Sequence, residues 1–174
     1  MPQPSPTILT VSRNLLRVLV VLNWVFAAAA VGVLALTFAV EDRLLEALAR
    51  QDGAAIAAAN LLAVRTVMVI GLIGVPLAHL LLTRLIAVVD TVRSGDPFLT
   101  INARRLTVIA WCLLGIQLLD LLFGAVALSV TGDDSPLSGW TFNITGWAAV
   151  LLLFVLARVF EQGARMREDI EGTV

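Results

Sequence analysis

Arg65, Asp120 and Asn143 each stand inside a long apolar run. An ionisable group in bilayer hydrocarbon costs roughly 2.5–3.5 kcal/mol on insertion scales, so each needs a partner or a task. At about 1.5 Å per residue, Asp120 stands roughly 22 Å along its helix from Arg105, and Arg65 roughly 28 Å along its own from Arg84. Both heights fall in the same half of the membrane, and Asn143, 15 residues before Arg158, comes to a similar level. This spacing predicts an Arg65–Asp120 ion pair with Asn143 as a third member. Such a pair either fixes helix register or carries a proton- or ion-coupled step. The alternative is that the two charges snorkel independently.

Other reactive types are sparse. His79 is the single histidine, so the paired axial ligands of a four-helix b-type cytochrome are missing and local hydrogen bonding beside Pro76 is its expected role. Cys112 stands alone in an apolar run, cannot form an intramolecular disulfide, and reads as a small hydrophobe. There is no His-Glu-x-x-His motif and no glycine-rich phosphate loop, and no histidine falls within reach of Ser129, Ser135 or Ser138. The expectation is a protein that is not an enzyme and carries no metal and no cofactor. Asn23 and Gln117 read as interhelical hydrogen-bonding residues.

The elements that must position these groups are membrane helices. Of 174 residues, 59% are hydrophobic and 14% charged, and the mean hydropathy is +0.95. A soluble domain carries about a quarter charged residues. The net charge of −1 gives no global field for nucleic acid, so direct nucleic-acid binding is not expected. Residues 1–12 are polar and proline-broken and read as a disordered lead; 13–174 read as a single domain. Val18–Val40 has 23 residues without a charge. That exceeds the roughly 7–15 apolar residues of a signal peptide, so an uncleaved helix is expected, with cleavage after Ala27–Ala30 as the alternative. Further spans are expected at about 61–84, 106–130 and 139–158. In 41–60, Leu44, Leu45 and Leu48 share one helical face, which suits a helix lying in the interface or capping the membrane, the alternative being a simple extension of the neighbouring helices. Pro76 invites a kink, and Gly71 and Gly74 allow close helix approach.

All twelve basic residues are arginine, and nine of them (Arg13, Arg17, Arg84, Arg93, Arg104, Arg105, Arg158, Arg165 and Arg167) fall on one side of these spans. The positive-inside rule then places both termini and the central loop 93–105 in the cytoplasm. The expected fold is an all-α integral membrane four-helix bundle in a bacterial inner (cytoplasmic) membrane, with a cytoplasmic C-terminal helix extension at 158–171. Glu161–Arg165 and Arg165–Asp169 have the four-residue spacing of salt-bridged helix faces.

Two segments carry a resemblance. Val92-Arg-Ser-Gly-Asp-Pro-Phe-Leu-Thr-Ile-Asn-Ala-Arg-Arg-Leu106 resembles the G-x-P-F…N…R-L loop between helices two and three of a bacterial membrane family of unknown function, the YoaS-like proteins. Phe154–Met166 resembles that family's closing L-x-x-V-F-x-x-G segment. The resemblance singles out Gly95, Pro97, Phe98, Asn102, Arg105, Phe160 and Gly163, and it implies a membrane partner or sensor for a small cytosolic helix-turn-helix transcription regulator. Read from the residues alone, the loop has three alternatives. In one it is intramolecular, with Phe98 tucked against the helix ends and Asn102 capping. In another Phe98 is a docking anchor rimmed by Arg93, Arg104 and Arg105. In the third the rim meets anionic lipid heads. The leading expectation is an interaction or sensing protein working through loop and tail. The runner-up is a small transporter or channel, a homo-oligomer, using Arg65, Asp120 and Asn143.

Overall fold

A computed structural model describes residues 6–94, 99–129 and 140–171, with the side chains of 9–50, 53–94, 99–129 and 140–167. Five helices follow one another: α1 (Pro6–Ala39), α2 (Glu41–Asp52), α3 (Ala54–Arg93), α4 (Thr100–Ser129) and α5 (Ile144–Glu171). No strand occurs among the described residues. α1, α3, α4 and α5 are long and apolar enough to cross a membrane.

Each spanning helix packs on its neighbour in sequence: α1 on α3, α3 on α4, α4 on α5. No close backbone approach joins α1 to α4 or α5. The bundle is therefore open, with α3 and α4 inside and α1 and α5 flanking them. α4 carries the broadest buried surface, from Asn102 and Ala103 at one end to Gly124 and Ala127 at the other. α1 contributes only Ala27 to the buried apolar set. Among the described residues, eight of the fifteen buried apolar ones are alanine, so close backbone approach, rather than large interlocking side chains, holds the helices. The exception is a cluster at the basic end, where Leu106 and Ile109 of α4 and Ala157 of α5 pack with Leu81, Leu85, Leu153 and Phe160.

Three boundaries differ from the sequence reading. α1 begins at Pro6, not after residue 12, because proline is suited to a first helical turn that needs no N–H donor. The second spanning helix begins at Ala54, seven residues before Leu61, because the alanine run Ala54–Ala59 is already strongly helix-forming. The last spanning helix begins at Ile144, five residues after Gly139, because Asn143 caps it: its Oδ1 accepts the Gly146 N–H at 3.0 Å. Between α1 and α3, α2 half-buries Leu44, Leu45 and Leu48 and exposes Asp42, Glu46 and Arg50, as its amphipathic spacing requires. Gly53, at φ +83°, turns the chain back. Residues 130–139, with Asp133 and Asp134, lie outside the described residues.

Two glycines set the α4–α5 approach. A Cβ on Gly124 would overlap the indole of Trp140, and one on Gly146 would overlap the Gln117 amide. Gly32 and Gly71, by contrast, face open space. Gly124→Ala should lower stability by about 1–3 kcal/mol through overpacking against the Trp140 ring, and Gly146→Ala by less, because the Gln117 amide it meets is the end of a flexible side chain. Gly32→Ala and Gly71→Ala should leave it unchanged or raised. Thermal unfolding midpoints in detergent distinguish the two pairs.

Candidate functional site

Chain direction alternates, so the start of α1, the end of α3, the start of α4 and the end of α5 share one end, which carries the nine arginines on one side. At that end Asn102 is fully buried, two residues inside α4. Its Oδ1 accepts from Arg105 Nη1 at 3.0 Å and lies 2.9 Å from the Thr91 hydroxyl of α3, which also reaches the Val88 carbonyl at 2.7 Å. Arg105 Nη1 also donates to the Ala87 carbonyl at 2.9 Å. Two residues of the loop signature, Asn102 and Arg105, thus stitch α4 to the last turns of α3. Burial makes the stitch matter, since an unpaired amide or guanidinium there would lose its water without replacement.

The same end leaves other groups outward. Arg93 and Arg104 are exposed, and neither makes an ion pair or hydrogen bond among the described residues. Ile101 beside them is 50% exposed. A groove of about 690 Å³ runs between the start of α4 and α5, lined by Ile101, Arg104, Thr107 and Val108 on one side and Glu161 on the other. Glu161 is held by Arg158 and Arg165, each at 2.8 Å, so the expected Glu161–Arg165 pair forms; the side chain of Asp169 lies outside the described residues. Phe160 belongs to the apolar cluster beneath, and Gly163 is half-buried on α5. Gly95, Pro97 and Phe98 lie outside the described residues.

The membrane-embedded residues do not meet as the spacing suggested. Arg65 turns to the end of α1 and the start of α2: Nη2 donates to the Thr37 carbonyl at 2.6 Å and to Glu41 of α2 at 3.1 Å, Nε donates to the Thr37 hydroxyl at 3.2 Å, and the guanidinium sits 3.9 Å from the Phe38 ring centre. The reason is local. α1 ends at Ala39, so its last-turn carbonyls need a donor, and a cation there also opposes the helix dipole. Height along the helices alone does not disclose which flank of α3 Arg65 faces. Asp120 has no hydrogen bond or ion pair among the described residues. Asn143 is spent on the α5 cap.

Further polar rungs join α1 to α3. Arg13 Nε lies 3.0 Å from Asp90 Oδ1, a contact of charge rather than an aligned hydrogen bond. Trp24 Nε1 donates to His79 Nδ1 at 3.2 Å with the rings edge to face, the local role expected of His79. Asn23 Nδ2 donates to the Val75 carbonyl at 3.2 Å, just before Pro76. Gln117 makes no such bond; its buried Nε2 packs on Gly146 without a partner. Asp90 and Trp24 escaped the sequence reading. Asp90 is set between apolar and basic neighbours as an ordinary helix-end charge, and only the antiparallel register brings Arg13 to it. Cys112 is buried, and no cluster of three metal-ligating side chains occurs among the described residues.

Four apolar spanning helices in series define a multi-pass α-helical membrane protein. The chain belongs to DUF2975, a family of proteins of unknown function, whose model matches residues 47–174. The matched stretch takes in α3, α4, α5 and the second half of α2, and so includes the whole Asn102–Arg105 stitch. No curated protein and no solved structure matches the chain.

These partners order the expected mutational effects. Asn102→Ala and Arg65→Leu should each destabilise by about 1–3 kcal/mol, because each strips partners from buried or half-buried polar groups. Asp120→Asn, which breaks no bond and removes an unpaired charge, should leave stability unchanged or raise it. Reversible unfolding in mixed micelles measures all three, and a large loss at Asp120 with none at Arg65 would contradict the pairing described.

Proposed function

We propose that this is a non-enzymatic interaction protein of a bacterial cytoplasmic membrane, whose basic end receives a cytosolic protein, a small helix-turn-helix regulator being the class implied by the loop signature. One observation carries the reading: the buried Asn102–Arg105–Thr91 stitch ties the start of α4 to α3 while Ile101, Arg93 and Arg104 are left outward and unengaged by any described residue. A partly apolar surface with flanking arginines on a fixed scaffold is the composition of a docking patch, in which a central apolar contact supplies affinity and the charged rim supplies orientation. The positive-inside rule assigns this end to the cytoplasm. The groove beside Glu161 adds a concave edge into which a partner's side chain fits.

A transport path lined jointly by Arg65, Asp120 and Asn143 finds no support in their positions, because Arg65 and Asn143 are engaged by separate partners and Asp120 by none.

The test is site-specific photo-crosslinking in native membranes from positions 98 and 101, each with and without Arg104→Glu. The expected result is a cytosolic DNA-binding protein captured at both positions and lost with the charge reversal, while the melting temperature is unchanged. Adducts confined to α5 of the same chain or to lipid would overturn the reading.

A further inference from the structure

The open arrangement leaves a groove of about 700 Å³ between α1 and α4, with α3 as its floor. This lies within the size range of small-molecule sites, about 300–1,000 Å³. Fourteen of its sixteen lining residues are apolar, so whatever occupies it has an apolar body. Gly71 and Gly74 keep the floor low, while Phe26 of α1 and Phe123 of α4 stand on the walls. The two polar lining residues are Asn23 and Asp120, on opposite walls.

They also share a depth. Asn23 is bonded to the Val75 carbonyl, and Leu119, next to Asp120, lies 3.7 Å from where a Cβ on Gly74 would stand. Gly74 and Val75 are midway between Arg65 and Arg84, near the bilayer centre. There, water does not solvate a carboxylate, and its cost falls on the protein unless something pairs with it. Asp120 finds nothing among the described residues, and Asn23 has committed one Nδ2 hydrogen and keeps its carbonyl oxygen. The groove thus offers two acceptors, one of them anionic, and no cation, its one remaining donor being the second Nδ2 hydrogen of Asn23. Arg65, the cation nearest in sequence on α3, is held by Thr37 and Glu41.

We propose that this groove binds a lipophilic ammonium ion: a protonated primary amine on an alkyl or aryl body. The body lies over Gly71 and Gly74 between Phe26 and Phe123, and the ammonium donates to Asp120 and to the Asn23 carbonyl oxygen. Charge selects this occupant over two others. A lipid acyl chain fills the apolar volume but leaves Asp120 unpaired. A helix from a second copy does the same, because Arg65 is the only cation in the interior of any spanning segment and is already engaged. This inference does not rest on the docking reading of the basic end.

The test uses the full chain in nanodiscs of zwitterionic lipid and two matched photoprobes, a diazirine-bearing dodecylamine and the corresponding dodecanol. The amine should label peptides containing Phe26, Gly71 or Phe123, with dodecylamine competing and dodecanol not. Asp120→Asn should reduce amine labelling about tenfold or more, the scale of a charge-assisted hydrogen bond, and leave alcohol labelling unchanged. Gly71→Phe, at a position whose Cβ meets nothing within 4 Å, should fill the floor and abolish labelling by both probes without loss of melting temperature. Equal labelling by amine and alcohol, or amine labelling indifferent to Asp120→Asn, would show a groove for acyl chains and sink the proposal. So would a Gly71→Cys disulfide between two copies that dodecylamine does not prevent, which would show a second copy seated there.

Discussion

Hydrocarbon offers no hydrogen bonds, so any polar group placed in it must find its partner inside the protein. That constraint explains how α1 is attached. Only Ala27 of α1 is among the buried apolar residues, and most of its large side chains face outward. What ties it to α3 is a set of polar rungs: Arg13 with Asp90, Trp24 with His79, Asn23 with the Val75 carbonyl, and Arg65 with Thr37. From Arg13 through Asn23 and Trp24 to Thr37 the α3 partners run from Asp90 through the Val75–His79 turn to Arg65, so one antiparallel register satisfies all of them together. A shift by one residue along either helix would strand several polar groups at once. Lipid tails are as apolar as leucine and give little reason for apolar helices to associate, so a polar set of this kind fixes both partner and register.

The α3–α4–α5 side is held differently. Small residues bring the backbones close, and glycines at 124 and 146 accept Trp140 and Gln117. Only at the basic end does a cluster of larger side chains form, directly beneath the Asn102–Arg105 stitch. The stitched, tightly packed end also carries Arg93 and Arg104, which face outward. A rigid base from which exposed groups project is what a docking surface requires, because ordering a mobile loop on binding subtracts from affinity. The same rigidity gives the motif's asparagine and arginine a structural task independent of any partner.

Between the two halves lies the consequence of the open arrangement. Because α1 packs on α3 and not on α4, their separation exposes the glycine-lined face of α3 in mid-membrane. Closing the bundle with larger residues at Gly71 and Gly74 would cover this face and remove the setting in which Asp120 stands unpartnered.

Much of this was legible in the chain itself. Uncharged runs of the length of a bilayer, Pro76 within one of them, the amphipathic spacing of Leu44, Leu45 and Leu48, and the one-sided arginines determine an all-α membrane protein of four spanning helices. They do so because hydrophobic length and charge placement are properties of the one-dimensional sequence. Local pairs such as Glu161–Arg165 follow from helix periodicity for the same reason. Height in the membrane could also be counted, and it placed Arg65 near Asp120, but the packing sets Leu119 and Asp120 beside Gly74, nine residues along α3 from Arg65. What counting residues cannot supply is the azimuth of a side chain around its helix and the identity of the neighbour it faces. Those depend on which helices pack together, which is decided by the sum of many small contacts across the bundle. Tertiary structure alone therefore turned Arg65 to Thr37 and Glu41, spent Asn143 on a cap, buried Asn102, and left Asp120 facing a groove.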